Sequence, residues 1–176
     1  MARPIDPIRR AQLLDAALDY AIEHGLADLT LRPLAEALQV SPNTLVHHFG
    51  SKEEMISAIL NGVRDRLRAM RSEMRGDPTQ KPLEGVWAWT SSPERDAFFR
   101  SFFEAYGFAL HQPERYRSFL ERVVSDWLLG GDSERATLEL AVLRGLLLDL
   151  LTTGERERVE AALARFARLQ SSEAGV

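Results

Sequence analysis

The sequence predicts an all-α protein of about nine helices, with an N-terminal three-helix head followed by a larger helical body. Three observations carry this. Apolar residues recur at the 3.6-residue period of amphipathic helices along the chain, and no long segment shows the period-two alternation of a half-buried strand. Most of these periodic stretches are preceded by a helix-start signature: a capping Asp, Ser or Thr followed by Pro in the first turn, or by Glu three residues on. Several end at Gly, the residue best suited to the conformation that closes a helix.

Asp6-Pro7 opens the first helix. Its stripe is Ile8, Leu14, Ala17, Leu18, Ala21 and Ile22, and Gly25 ends it. Thr30 caps the second, with Pro33 in the first turn, where a missing N–H costs little. Ser41-Pro42 opens a short third helix that ends at Phe49-Gly50. Ser51 and Glu54 form a capping box for a fourth, which runs to about Arg75. "GDPTQKP" (76–82) reads as a loop, and "LEGVWAW" as a short helix after it. Ser92-Pro93 opens a helix with Phe98, Phe99, Phe102, Phe103 and Tyr106 on its apolar side. Pro113 opens the next, with Tyr116, Phe119, Leu120, Val123, Val124, Trp127 and Leu128 at helical spacing. "GGD" (130–132) breaks it. A helix that is apolar on nearly every side then runs from about Ser133 to Thr152, and a last one carries Val159, Leu163, Phe166 and Leu169.

The 176 residues, 45% hydrophobic and 27% charged, are those of an ordinary globular chain. With no Cys, disulfides, Cys-ligated zinc and a Cys nucleophile are excluded, and a reducing, cytoplasmic setting fits. The N-terminus shows no signal-peptide core. The longest apolar run, near "LLLDLL", is interrupted by Asp149 and too short to span a bilayer, so no membrane partner is expected. Net charge is −4. The first 52 residues nonetheless stand close to balance, with Arg3, Arg9, Arg10, Arg32 and Lys52 against Asp6, Asp15, Asp19, Glu23, Asp28 and Glu36. A near-neutral head on a more acidic body binds nucleic acid if its basic groups share one face. The sequence holds no G-x-S-x-G, H-E-x-x-H or phosphate-loop motif and no nucleophile-base set, which argues against an enzyme. His47 and His48 are adjacent on a helix and point about 100° apart, so they do not chelate one ion together, and no metal or cofactor is expected.

The second and third helices are joined by a turn of three or four residues, which forces a steep crossing, the helix-turn-helix geometry. The third is only about two turns long and marginal alone. Leu45 and Phe49 anchor it, leaving Pro42, Asn43, Thr44, Val46, His47 and His48 for other work, with His48 read as a structural histidine packed between this helix and its neighbours. Small polar side chains at a helix start reach base edges while the helix N-terminus meets phosphate.

At this point "LAEALQVSPNTLVHHFGSKEEM" (34–55) resembles the DNA-binding segment of the TetR family of transcriptional regulators. Val40, Ser41, Thr44, Leu45, His48, Phe49, Ser51, Lys52, Glu53 and Met55 fall where that family places those residue types. "AALDYAIEHGLADLTLRPLAEAL" resembles its first two helices, and "LRGLLLDLLTTG" its penultimate one. The resemblance implies a DNA-binding domain over 1–52 and an effector-binding and dimerisation domain over 53–176. It implies that Thr30 and Lys52 meet DNA phosphates, and that Arg32, Pro42, Asn43, Thr44, Val46 and His47 meet bases or phosphates. Val46 departs from the family, which usually has Tyr there as a phosphate contact. Valine donates no hydrogen bond, but it fits a thymine methyl.

The resemblance further implies a largely apolar small-molecule effector in a pocket of the middle helices, with Trp87, Phe98, Phe102, Tyr106 and Trp127 as lining candidates. It implies a homodimer through the last two helices, with Leu143, Leu147, Val159, Leu163 and Phe166 at the interface. The expected function is a repressor released from operator DNA by its effector. The alternative is a helical ligand-binding or interaction protein that has lost DNA binding.

Overall fold

The computed structural model describes residues 4–26, 29–73, 82–126 and 134–173. Among these residues the secondary structure is helical throughout: α1 (Pro7–His24), α2 (Leu31–Ala37), α3 (Pro42–Phe49), α4 (Lys52–Glu73), α5 (Pro82–Thr90), a 3₁₀ turn (Pro93–Arg95), α6 (Asp96–Leu110), α7 (Arg117–Ser125), α8 (Glu134–Thr153) and α9 (Arg156–Glu173). No described helix is long and apolar enough to cross a membrane.

The local signals act as the residues dictate. Asp6 accepts hydrogen bonds from the N–H groups of Ile8 (2.9 Å) and Arg9 (3.2 Å), and Gly25 closes α1 at φ 83°. Ser41 Oγ accepts from Thr44 N at 3.1 Å. The capping box is reciprocal: Ser51 N donates to Glu54 Oε2 at 2.7 Å and Glu54 N to Ser51 Oγ at 3.1 Å. These bonds hold the Glu54 carboxyl below its ordinary value, the Ser51 backbone N–H being the largest cause. Two readings shift. Pro93 begins a single 3₁₀ turn before α6 rather than the helix itself. Pro113 lies in a turn closed by Arg115 N and Tyr116 N on Gln112 O (both 3.1 Å), so α7 starts only at Arg117. Tyr116, at the end of that turn, is buried. The "GDPTQKP" loop up to residue 81 and the "GGD" break lie outside the described residues.

Compactness divides the chain into two units. The first comprises Met1–Arg71 and Ala97–Val123, the second Ser72–Asp96 and Val124–Val176. By packing, then, the first unit does not stop at residue 52: nearly all of α4, and α6 and α7 up to Val123, belong with the three N-terminal helices. Its core holds Leu13, Leu18, Leu34, Leu45, Met55, Ile59, Leu60, Phe99 and Phe119. Gly62 on α4 lies against α1 so closely that a Cβ there would stand 2.7 Å from Leu18 Cδ1.

In the second unit α8 packs on α9 and on α5. Arg156 Nη2 donates to Ser91 O at 2.7 Å, tying α9 to the end of α5. At the α8–α9 corner Arg158 grips Asp149 with two bonds of 2.8 and 2.7 Å, and also reaches Glu155.

Candidate nucleic-acid interface

The site is built from α2, α3 and the first residue of α4. α2 ends in a reversal that turns the chain within four residues. Val40 N donates to Ala35 O (2.9 Å) and Gln39 N to Glu36 O (3.0 Å), with Gln39 in the left-handed region at φ 54°. That position favours Gly. A glutamine here holds a conformation costing about 1 kcal/mol where the chain turns from α2 into α3. Sequence reading missed this strain because nothing about "LQVS" advertises it.

α3 has eight residues, and its two sides are cleanly separated. Leu45 (0% exposed), His48 (8%) and Phe49 (6%) are buried. Pro42, Asn43, Val46 and His47 are exposed and, at about 100° per residue, span an arc of about 140° on the other side. Thr44 is half-buried, and its hydroxyl is engaged with Ser41 Oγ at 2.9 Å. Thr30 caps α2 by position only. Its hydroxyl makes no capping bond, and the residue is exposed. Arg32 is exposed and Lys52 half-exposed. The structure thus brings the eight candidate residues into one unit, four of them on one helix face.

α3 is fixed from behind by a side chain that sequence reading counted only as charge. Arg10 Nε of α1 donates to His48 O at 3.1 Å, and its guanidinium stands 5.2 Å from the centre of the Phe49 ring. A cation at the C-terminal end of a helix meets its negative pole, so Arg10 both satisfies a terminal carbonyl and orients the helix. His48 Nδ1 is buried with no hydrogen-bond partner, and the His47 and His48 rings meet edge to face at 5.1 Å. Among the described residues no group of three or more His, Cys, Asp or Glu is arranged to hold a metal ion.

α6 holds the far end of α1. Ser101 Oγ donates to Ile22 O at 3.1 Å, and Leu26 N donates to Glu104 Oε1 at 2.6 Å. The visible hint was a lone carboxylate within "FFRSFFEAYGF".

Of the five pocket candidates, Phe98, Phe102 and Tyr106 lie in the first unit, Trp87 lies in the second, and Trp127 falls outside the described residues. The Phe102 and Tyr106 rings stack at 6.4 Å. A groove of about 470 Å³ opens on the first unit between α1 and the end of α2, lined by Arg9, Gln12, Tyr20, Glu23, His24 and Gln39 among others, and by none of those five. Four of the five dimer candidates are consumed within the second unit: Leu143, Leu147, Val159 and Leu163 are 0–9% exposed, while Phe166 is half-buried. The solvent-facing stripe of α8 instead carries Leu138, Ala141, Gly145 and Leu148.

Residues 13–59 match the family described as bacterial regulatory proteins, tetR family. Those residues therefore carry a TetR-family domain. The chain is 40% identical over 76 residues to the HTH-type transcriptional repressor KstR2 of Mycobacterium tuberculosis, a match covering 43% of this chain and 38% of that one. It is 26% identical over 129 residues to the HTH-type transcriptional regulator BetI 1 of Chromohalobacter salexigens, covering 70% and 63%. The match therefore spans less than two thirds of either relative. A transcriptional regulator from Rhodococcus sp. Rha1 shares the fold at a TM-score of 0.68 and 25% identity, over 88% of this chain and 91% of that one.

Proposed function

We propose that this chain is a TetR-family DNA-binding transcriptional regulator, a repressor that a small, largely apolar effector releases from its operator. The observation that carries the reading is the two-sided α3. A helix this short is held by Leu45, Phe49 and Arg10 so that Pro42, Asn43, Val46 and His47 stand clear of protein. Thr30, its hydroxyl free of capping, and Lys52 flank that face as phosphate contacts, with Arg32 beside them. Residues 1–52 read DNA, and 53–176 serve effector binding and dimerisation. The chain acts as a homodimer in the cytoplasm, each copy placing α3 in a major groove at half-sites about one helical turn apart.

The second copy docks on the exposed stripe of α8 (Leu138, Ala141, Gly145, Leu148); a Cβ at Gly145 would meet nothing within 4 Å, which leaves room for close backbone approach. Effector binding favours a spacing of the reading heads that no longer fits the operator. A preference of about 5.5 kcal/mol would take the equilibrium from 1:99 to 99:1.

The test is a fluorescence-anisotropy titration with the DNA upstream of the gene encoding this chain, as a function of salt. Lys52→Ala should weaken binding to all sequences alike and reduce the salt slope by about one unit per subunit. Absence of binding by the wild type at low salt would defeat the reading in favour of a helical protein that has lost DNA binding. An unchanged slope would remove Lys52 from the phosphate contacts.

A further inference from the structure

The feature left over is Val46. It is 44% exposed on a helix whose other large apolar residues are buried, and it lies within the exposed arc, flanked by Pro42 on one side and Asn43 and His47 on the other. A β-branched side chain in a helix keeps essentially one χ1 rotamer, so its methyl groups are held in a fixed direction and lose little freedom on contact. Valine has no donor or acceptor, so it contributes nothing at a phosphate or at the hydrogen-bonding edge of a base. The major groove offers one apolar group, the C5-methyl of thymine.

The position is also well supported from behind. Val46 O accepts from Gly50 N at 2.8 Å, its neighbour Leu45 is fully buried, and Arg10 holds the next turn at His48 O. Any displacement of the side chain requires moving a helix anchored at three points.

Resting on the DNA-binding reading, we infer that Val46 is a specificity residue that reads a thymine methyl in each half-site. Its neighbours Asn43 and His47 address polar edges, while Val46 selects thymine over cytosine and over uracil by burying one methyl group.

The experiment uses the full chain and two duplex libraries with a random segment of about 30 base pairs, long enough for two half-sites. One is copied with thymine and the other with uracil, which keeps every hydrogen-bonding group and lacks only the methyl. Selected duplexes are then made with single thymine-to-uracil replacements, and their Kd values are measured for the wild type and for Val46→Ala. Alanine is a better helix former at this exposed site, so the variant should remain folded, as circular dichroism would verify. One thymine per half-site should be sensitive for the wild type, losing about four-fold in affinity per half-site, the value of one buried methyl. Val46→Ala should bind the thymine duplex more weakly and show no sensitivity at that position. Identical selected sequences and equal affinities from the two libraries would overturn the inference while leaving DNA binding intact. So would a thymine sensitivity that survives in Val46→Ala. No enrichment from either library would overturn the DNA-binding reading and this inference with it.

Discussion

Leu147 and Leu148 are neighbours on α8 with opposite surroundings: Leu147 is 4% exposed and Leu148 49%. A glutamate at each position separates the core of the chain from its contact with a second copy. At Leu148 a closed dimer would bury roughly half a leucine side chain per copy, worth about 1 kcal/mol each and about 2 kcal/mol for the pair. A glutamate adds an unpaired charge on both copies, costing about 3 kcal/mol or more. The total of about 5 kcal/mol raises the dimer dissociation constant by more than three decades. Leu148→Glu is therefore expected to be a folded monomer with a wild-type helical spectrum and no operator binding. Leu147→Glu buries the carboxylate within a single chain, at about 3 kcal/mol or more, which is a large share of a total stability of about 5–15 kcal/mol. It should lower the Tm by about 10 °C or prevent folding. Light scattering across a concentration series, paired with thermal melts, reads both. A Leu147→Glu protein that is monomeric at the wild-type Tm, beside a Leu148→Glu protein that remains dimeric, would refute this assignment of faces.

Four further outcomes are expected. Gln39→Gly should raise the urea midpoint by about 0.5–1 kcal/mol of stability, because Gly relieves the φ of 54°; a lower midpoint would show that the glutamine side chain contributes more than its strain costs. Arg10→Met, which keeps an apolar stem over Phe49 but drops the bond to His48 O, should cost about 1 kcal/mol in a denaturant melt and weaken DNA binding further by freeing the end of α3; unchanged anisotropy would remove Arg10 from the support of that helix. Glu104→Ala should cost about 1–3 kcal/mol by stranding the Leu26 N–H, while Glu104→Gln, which still accepts that bond, should recover most of it. Asp149 is held below its ordinary carboxyl value, first by its hydrogen bond from Arg158, so its contribution is present above that value and lost as pH falls through the depressed one; the stability gap between wild type and Asp149→Asn should be open at neutral pH and close in acid, and a gap independent of pH would place the cause elsewhere.

Much of the first unit was legible because its signals are local. Asp6-Pro7, Ser41-Pro42 and Ser51 with Glu54 each specify a helix start within three residues, and the caps form as the side chains dictate. The two-sided α3 was legible for the same reason: Leu45 and Phe49 are four apart, and of the residues between them Val46 and His47 face elsewhere while His48 joins the buried side. What escaped depends on partners distant in sequence. Arg10 meets His48 across 38 residues and Glu104 meets Leu26 across 78, and neither pairing leaves a periodic trace. α8 shows the limit of periodicity itself. With leucines on almost every side, its stripe alone does not say which leucines face α9, and the candidates taken from it were largely those its own chain buries. Pro113 reads as opening a helix, but it lies in a turn and the helix starts four residues later, at Arg117.

The grip of Ser101 and Glu104 on the end of α1 bears on how such proteins are recombined. Engineers who graft the DNA-reading segment of one regulator onto the sensor of another commonly treat it as a cassette. Cut after residue 52, this cassette would carry away Ile22 O and Leu26 N without the two side chains that satisfy them, and would uncover the face of α1 against which Gly62 is fitted. A hybrid that preserves sequence at the splice but not these distant contacts would inherit a loosened first helix. Transplanting Ser101, Glu104 and Gly62 together with residues 1–52 supplies the missing half of the joint.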